Sequence, residues 1–416
     1  MTTQPRLLSR PQLAAVVAGN ALEFYDFLVF GIFAGQIGAI FFPGQLPTRQ
    51  LFLTLATAGV GFLGRPFGGL ILGPLGDRIG RKPAMLFSFG LMGGSIVGLA
   101  LTPSYAAIGV AAPILVVVFR LLQGFALGGE VGPTTAFLTE AAPRGRRCFY
   151  VALQFATQQA ATVGAAIVGV ILSNLLAPDN LNAWGWRVAM LLGAAVVPFA
   201  LVMRRRLPET LEAEAARSKH RPTRKEIVLG LLTIVMLASA TIATYTLIYI
   251  NLFATHTLGL STAVGFGALL VGGGCGIIFN LLGGWLSDRF GRKPLMVGGY
   301  GLLCIVGLPC FLLMSHWRTP LTLYPGTALM AALLGLGTPA IMCSLMESLP
   351  PQMRSGGSGI VYAFAIAIFG GSAQPVVAWL TDLTGSPLAP AGYMCVALAL
   401  GVLAMLGIRE TAPSRK

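Results

Sequence analysis

Charge is what this chain has least of. Only 10% of its 416 residues are Asp, Glu, Lys or Arg, and the acids number 14, whereas an ordinary soluble domain is about one-quarter charged. A water-facing surface cannot be built from that composition. Histidine is scarce too: His220, His256 and His316 lie far apart in sequence, which points to neither a zinc site nor a nucleophilic triad. Six cysteines, Cys148, Cys275, Cys304, Cys310, Cys343 and Cys395, show no CxxC spacing and read as packing thiols, neither disulfides nor metal ligands. No GxxxxGK loop is present, which argues against an ATP-driven pump. The run GVGFLG at 59–64 lacks the strand before it and the acid after it that a dinucleotide site needs. With no catalytic constellation, cofactor or metal set in view, an enzyme is disfavoured.

Apolar length is what the chain has in abundance. Hydrophobic residues make up 55% of it, and the mean hydropathy is +0.79. A membrane span needs about 20 apolar residues. Stretches of that kind recur at 15–41, 51–75, 84–103, 107–138, 149–175, 186–204, 227–252, 263–286, 295–314, 323–347, 357–380 and 389–408. They predict an all-α membrane protein with twelve transmembrane helices. The first stretch is too long and too acidic for a signal peptide and has no small-residue cleavage site, so it is expected to stay in the mature protein.

The basic residues set the orientation. If the N-terminus is cytoplasmic, 23 of the 28 Lys and Arg fall in cytoplasmic segments, only Arg49, Arg187 and Arg318 fall outside, and Arg65 and Arg120 lie within spans. Both termini are therefore predicted inside. The formal charge of +14 is this bias, and it does not point to nucleic acid.

The chain also repeats itself. GPLGDRIGRKPAM at 73–85 and GWLSDRFGRKPLM at 284–296 match at nine of thirteen positions, offset by 211 residues. Weaker echoes pair Glu140, Pro143 and Arg147 with Glu347, Pro350 and Arg354, and RLPET at 206–210 with RET at 409–411. The repeat implies two six-helix bundles in tandem, 1–206 and 226–416, joined by a charged cytoplasmic linker at 207–225.

GDRIGRK at 76–82 and SDRFGRK at 287–293 resemble the signature loop of the major facilitator superfamily, between the second and third helices of each half. GNALEFYDF, GFLGRPFGG, RLLQGFALGGEVG and AIFGGSAQPVVAWL, in the first, second, fourth and eleventh spans, are similar to the metabolite:proton symporter branch, which carries citrate, 2-oxoglutarate, shikimate, proline and betaine. The resemblance implies the major facilitator fold in an inner membrane, and a short chain without long loops suits a bacterial source. It also associates the first-span acids and the arginines of the second and fourth spans with substrate or proton handling.

Five ionisable residues fall well inside spans: Glu23, Asp26, Arg65, Arg120 and Glu130. Each is expensive there, on the order of 3 kcal/mol at mid-helix, and so marks a pathway or a paired site. At a rise of about 1.5 Å per residue, Asp26, Arg65 and Glu130 converge about 15–18 Å from the cytoplasmic ends. Three acids against two arginines leave one excess negative charge, which proton uptake relieves. Glu23 and Asp26, three apart on one helical face, raise each other's proton affinity and are the first choice for the proton site. Glu130 is the second choice. Arg120 fits proton coupling or structure equally. In the plainer alternative, the acids only neutralise the arginines and hold the bundle together.

Arg65, flanked by Gly64 and Pro66, is the best substrate residue, because a guanidinium grips a carboxylate with two parallel bonds and stays charged. Asn20, Gln154, Gln158, Tyr245, Tyr249 and Gln374 could complete a polar cavity, or could hydrogen-bond helix to helix. The second half offers no ionisable residue at mid-depth. At the cytoplasmic helix ends, Asp77 with Arg78 and Arg81, and Asp288 with Arg289 and Arg292, are expected to form ion pairs that latch that side and break during transport, joined by Glu140 and Glu347.

The reading is a proton symporter importing a small organic acid (a mono-, di- or tricarboxylate such as citrate) and working as a monomer. Uptake of a zwitterion such as proline or betaine and proton-antiport efflux are the transport alternatives, with a non-transporting sensor behind them. The expected partners are the anionic substrate, protons and the lipid bilayer.

Overall fold

The computed structural model describes residues 20–21, 24–25, 28–79, 81–128, 135, 138–139, 142–143, 145–194, 223–349 and 351–412. Among these residues the chain is helical, with no strand. The main elements are α1 (Ala34–Phe41), α2 (Pro47–Ile79), α3 (Arg81–Leu101), α4 (Ala111–Leu127), α5 (Arg147–Leu175), α6 (Arg224–Ile248), α7 (Thr262–Phe290), α8 (Arg292–Trp317), α9 (Pro320–Ser348), α10 (Pro351–Ala365), α11 (Gly371–Thr384) and α12 (Ala389–Gly407).

Eight helical segments among the described residues are long and apolar enough to cross a membrane, and the stretches Gly90–Leu101 and Ala111–Leu127 are shorter apolar helices. Two spans are irregular: a π turn at Phe253–Thr257 prolongs the α6 segment, and another at Ile366–Gly370 joins α10 to α11. Such turns leave backbone groups out of the regular ladder and recur at functional positions.

Local sequence explains where the elements begin. Thr223 and Glu226 form a reciprocal capping box that starts α6 at Arg224, inside the stretch 207–225. Gly291 breaks α7 from α8 with φ +105°, a conformation that favours glycine, and this is the physical reason for the Gly in DRFGRK.

Within the first half α2 packs on α4, and α3 on α4. In the second, α7 packs on α9, α8 on α9 and α12, and α6 on α12. The halves meet chiefly where α5 packs on α7 and α2 on α11. Large apolar side chains such as Leu70, Ile114, Leu175, Ile278, Ile305 and Leu403 are exposed. That suits a bundle solvated by lipid rather than water.

Candidate functional site

Two arginines come near each other because the helices carrying them touch through glycine. A Cβ on Gly64 would sit 2.5 Å from the Leu121 carbonyl oxygen, one on Gly124 would collide with the Gly61 carbonyl, and one on Gly128 with the Arg65 carbonyl. The glycine-rich segment GVGFLG is therefore a helix-packing surface, in which absent side chains let backbones approach. The approach puts Arg65 on α2 and Arg120 on α4 close enough for their charges to interact.

Both are buried, at 5% and 1% exposure. The Arg65 guanidinium lies 4.7 Å over the Phe62 ring, with the Tyr362 hydroxyl of α10 within hydrogen-bonding reach. Arg120 donates to Gln123 Oε1 at 3.0 Å and to the Ala58 carbonyl at 2.9 Å, and its guanidinium lies 4.8 Å over the Phe30 ring. Tyr245 of α6 meets Phe62 edge-on at 5.5 Å and lies in the field of both arginines. The first half thus contributes two cations and the second two phenolic hydroxyls. Chemically, the cluster can bind an anion and orient its polar groups.

The other polar residues divide. Asn20 donates to the Gln154 carbonyl at 3.1 Å and to Thr157 Oγ1 at 3.0 Å, while Gln154 Oε1 accepts from Thr135 at 2.8 Å. These are helix-to-helix bonds within the first half. The buried Nε2 groups of Gln158 and Gln374 have no hydrogen-bond partner among the described residues, so both amides can still donate. Tyr249 is buried one turn beyond Tyr245. On the other face of α6, Thr244 lines a cavity of about 20 Å³ together with Gln159, Thr162 and Thr327, space for about one water. Cross-half contacts continue away from the basic end: Asn251 donates to the Ile32 carbonyl at 2.8 Å, and the Phe33 and Phe266 rings lie 4.9 Å apart. Asp26 and Glu130, expected at the depth of Arg65, and Glu23, expected to share a face with Asp26, lie outside the described residues.

A second cluster sits at the end of the bundle that carries the repeated basic motifs. Arg292 is buried and grips Glu347 with two bonds, Nη2 to Oε1 at 3.0 Å and Nε to Oε2 at 3.2 Å, and bonds Asp288 at 2.8 Å. Asp288 in turn accepts from the backbone N–H groups of Cys148 (3.0 Å) and Phe149 (2.9 Å), in the first turn of α5. The α5 N-terminus, electropositive through its unpaired N–H groups, is thereby capped by a carboxylate from the other half. Arg147 approaches Glu347 at 4.0 Å.

Asp288, Arg292 and Glu347 are therefore brought together. Arg289 lies apart from them, exposed on the outer surface over Trp285 (6.0 Å) and Phe290 (5.6 Å). Asp77 and Arg78 fall in the last turn of α2 and Arg81 opens α3, but their side chains, like Glu140, lie outside the described residues.

Glu410 is the participant the sequence reading passed over. Its carboxylate accepts from the backbone N–H groups of Arg292 and Lys293 at 2.9 Å each, capping α8, and Thr411 Oγ1 donates to Glu347 at 2.8 Å. Partial burial pulls the Glu410 carboxyl up, but N–H donors from Ala412, Arg292, Lys293 and Thr411 outweigh it and hold the carboxyl below its usual range. The available signal was the RET echo of RLPET.

Comparison with known proteins decides the family. Residues 12–225 match the family model described as Sugar (and other) transporter, and residues 268–416 that of the Major Facilitator Superfamily. A citrate-proton symporter of Klebsiella pneumoniae is 33% identical over 94% of this chain and 89% of its own. The chain belongs to the major facilitator superfamily. Within it, the chain is a multi-pass membrane transporter of the metabolite:proton symporter branch. A proline/betaine transporter of Escherichia coli (strain K12) is 31% identical over 97% of this chain and 84% of its own. Among solved structures, a D-xylose-proton symporter superposes with a TM-score of 0.76 over 98% of both chains at 18% identity, which identifies the major facilitator fold.

Proposed function

We propose that this transporter imports a small organic acid together with protons, by rocking of two six-helix bundles (1–206 and 226–416, linked through 207–225) about a central site. In this reading twelve helices span the inner membrane, both termini are cytoplasmic, and the monomer is the working unit. The observation that carries it is the convergence of buried Arg65 and Arg120 with Tyr245 and Tyr362 between the two halves. A carboxylate fits the planar fork of Arg65, and the hydroxyls and the amides of Gln374 and Gln158 supply hydrogen bonds from the walls. Asn20 and Gln154 hold the first-half wall, and Tyr249 extends the second. The similarity to a citrate-proton symporter supports a carboxylate as substrate.

Glu23 and Asp26 are assigned the proton, with Glu130 as second choice and Arg120 as the cation whose field sets their affinity. Proton uptake from outside permits substrate binding beside Arg65, and release inside weakens it. Asp288, Arg292 and Glu347 close the cytoplasmic side, as Asp77, Arg78, Arg81 and Glu140 do in the related loop. Arg289 stands at their margin.

A zwitterion is the second reading, favoured by the aromatic rings of Phe62 and Tyr245 beside the arginines. Arg65 would hold its carboxylate and the rings a quaternary ammonium. The test is uptake of radiolabelled carboxylates, proline and betaine into proteoliposomes, with and without an inward proton gradient. Gradient-driven accumulation of one organic acid, abolished by a protonophore and reduced roughly 100-fold in Arg65→Ala, is expected from loss of about 3 kcal/mol of charge-assisted bonding. Accumulation of proline or betaine alone selects the second reading, and no gradient-dependent uptake of any panel member refutes both.

A further inference from the structure

Beside the latch a cavity of about 260 Å³ opens to the surface, lined by Gly145, Arg146 and Phe149 from the first half and Trp285, Asp288 and Arg289 from the second. Asp288, the acid among its described lining residues, is already engaged: it binds Arg292 at 2.8 Å and accepts two backbone N–H groups of α5. Arg146 and Arg289 are both exposed, so the walls present two cations to whatever enters.

The surroundings say what kind of anion fits. Trp285 is 49% exposed, and above it along α7 Leu282 and Ile278 are also exposed, at 37% and 62%. With spacings of four, three and four residues, Ile278, Leu282, Trp285 and Arg289 form one outward stripe on the helix, apolar along its length and cationic at its end. A soluble anion would use the cations and leave the stripe bare. An amphiphile uses both. Trp at the boundary of an apolar stripe marks the level of lipid headgroups, and basic pockets between spans on the cytoplasmic side take anionic headgroups.

We infer that this cavity binds an anionic phospholipid, with its phosphate between Arg146 and Arg289 and an acyl chain along Trp285, Leu282 and Ile278. Because the two arginines belong to different halves, the bound headgroup bridges the seam and favours the state in which the cytoplasmic side is closed. That consequence rests on the rocking mechanism proposed above; the binding rests only on the orientation proposed there.

The test reads binding without transport. The full chain is placed in phosphatidylcholine vesicles containing a minor fraction of brominated phosphatidylglycerol or brominated phosphatidylcholine. Quenching of the tryptophan emission that Trp285→Phe removes reports lipid at the cavity. Brominated phosphatidylglycerol is expected to be preferred roughly tenfold or more. Arg146→Gln with Arg289→Gln should abolish the preference, and inorganic phosphate should not displace the lipid. Equal quenching by the two lipids in the wild-type chain overturns the proposal whether or not the double variant folds. So does a preference that survives the double substitution, and displacement by inorganic phosphate would assign the cavity to a soluble anion instead.

Discussion

Arg120 and Arg292 are buried to the same extent, 1% exposed each, yet their surroundings are of different kinds. Arg292 sits between two carboxylates, Asp288 and Glu347, at hydrogen-bonding distance from both. The described partners of Arg120 are an amide, a main-chain carbonyl and an aromatic face, with a second arginine and Tyr245 nearby. An arginine held between carboxylates is a closed unit that has little to offer a ligand. The described neighbours of Arg120, dipoles and rings beside another cation, are those that the proposed anion site would need. The rocking proposed above would have to open the Arg292 cluster. Buried ion pairs are costly to strip of one partner, but here the three charged groups all belong to the second half. Among the described contacts, the α5 N–H groups on Asp288, and Arg147, come from the first. In the rocking mechanism proposed above, opening the seam would remove those and let water in, leaving no charge dry and alone.

The largest expected effect breaks the closed unit. Arg292→Gln leaves Asp288 and Glu347 buried together without their cation, which should destabilise the protein by about 3–5 kcal/mol. Thermal unfolding in detergent measures it, and a maleimide should label the now less protected Cys148 faster. If stability and labelling both match the wild type, Arg292 does not hold this end together.

A smaller effect sharpens the other side of the comparison. Tyr245→Phe and Tyr362→Phe each remove one hydroxyl while keeping the ring, and the loss of a hydrogen bond to a charged partner is worth about 1.5 kcal/mol, roughly tenfold in KM. Thermal stability should change little. Reduced thermal stability in both variants with KM unaltered would make these hydroxyls structural and move the substrate elsewhere.

Much of this arrangement was legible in the sequence, and what was hidden has a physical reason. Arg65 stood out because a guanidinium in an apolar span needs a purpose. The repeated DRxGRK marked the cluster in which Asp288 and Arg292 are bonded. It could not say which of its cations faces inward: Gly291 turns the chain so that Arg292 enters the seam, while Arg289, still on α7, stays on the outer face. Nor could it show what Asp288 accepts from, since backbone N–H groups carry no residue identity. Asn20 and Gln154 looked the same whether they lined a cavity or tied helices, and spatial neighbours alone decide between those uses. Glu410 was missed because its partner helix begins 118 residues earlier in the chain.

That residue supplies the smallest effect, and one that separates the latch from its supports. Glu410 belongs to no ion pair among the described residues; its carboxylate serves as an acceptor for main-chain donors at the start of α8. Its folded-state proton affinity is lowered, so it stabilises the protein fully above the ordinary carboxylate range, and that contribution disappears as pH falls through the lowered folded value. Glu410→Gln should therefore destabilise the protein by about 1 kcal/mol at neutral pH, the size of a lost helix cap, and by progressively less towards acid pH, where the wild-type carboxyl is itself protonated. Unfolding midpoints of the two proteins measured across that range check it. A gap that stays constant with pH would mean that Glu410 acts through packing and not through its charge. Arg292 would then be held by its two carboxylates without help from the tail.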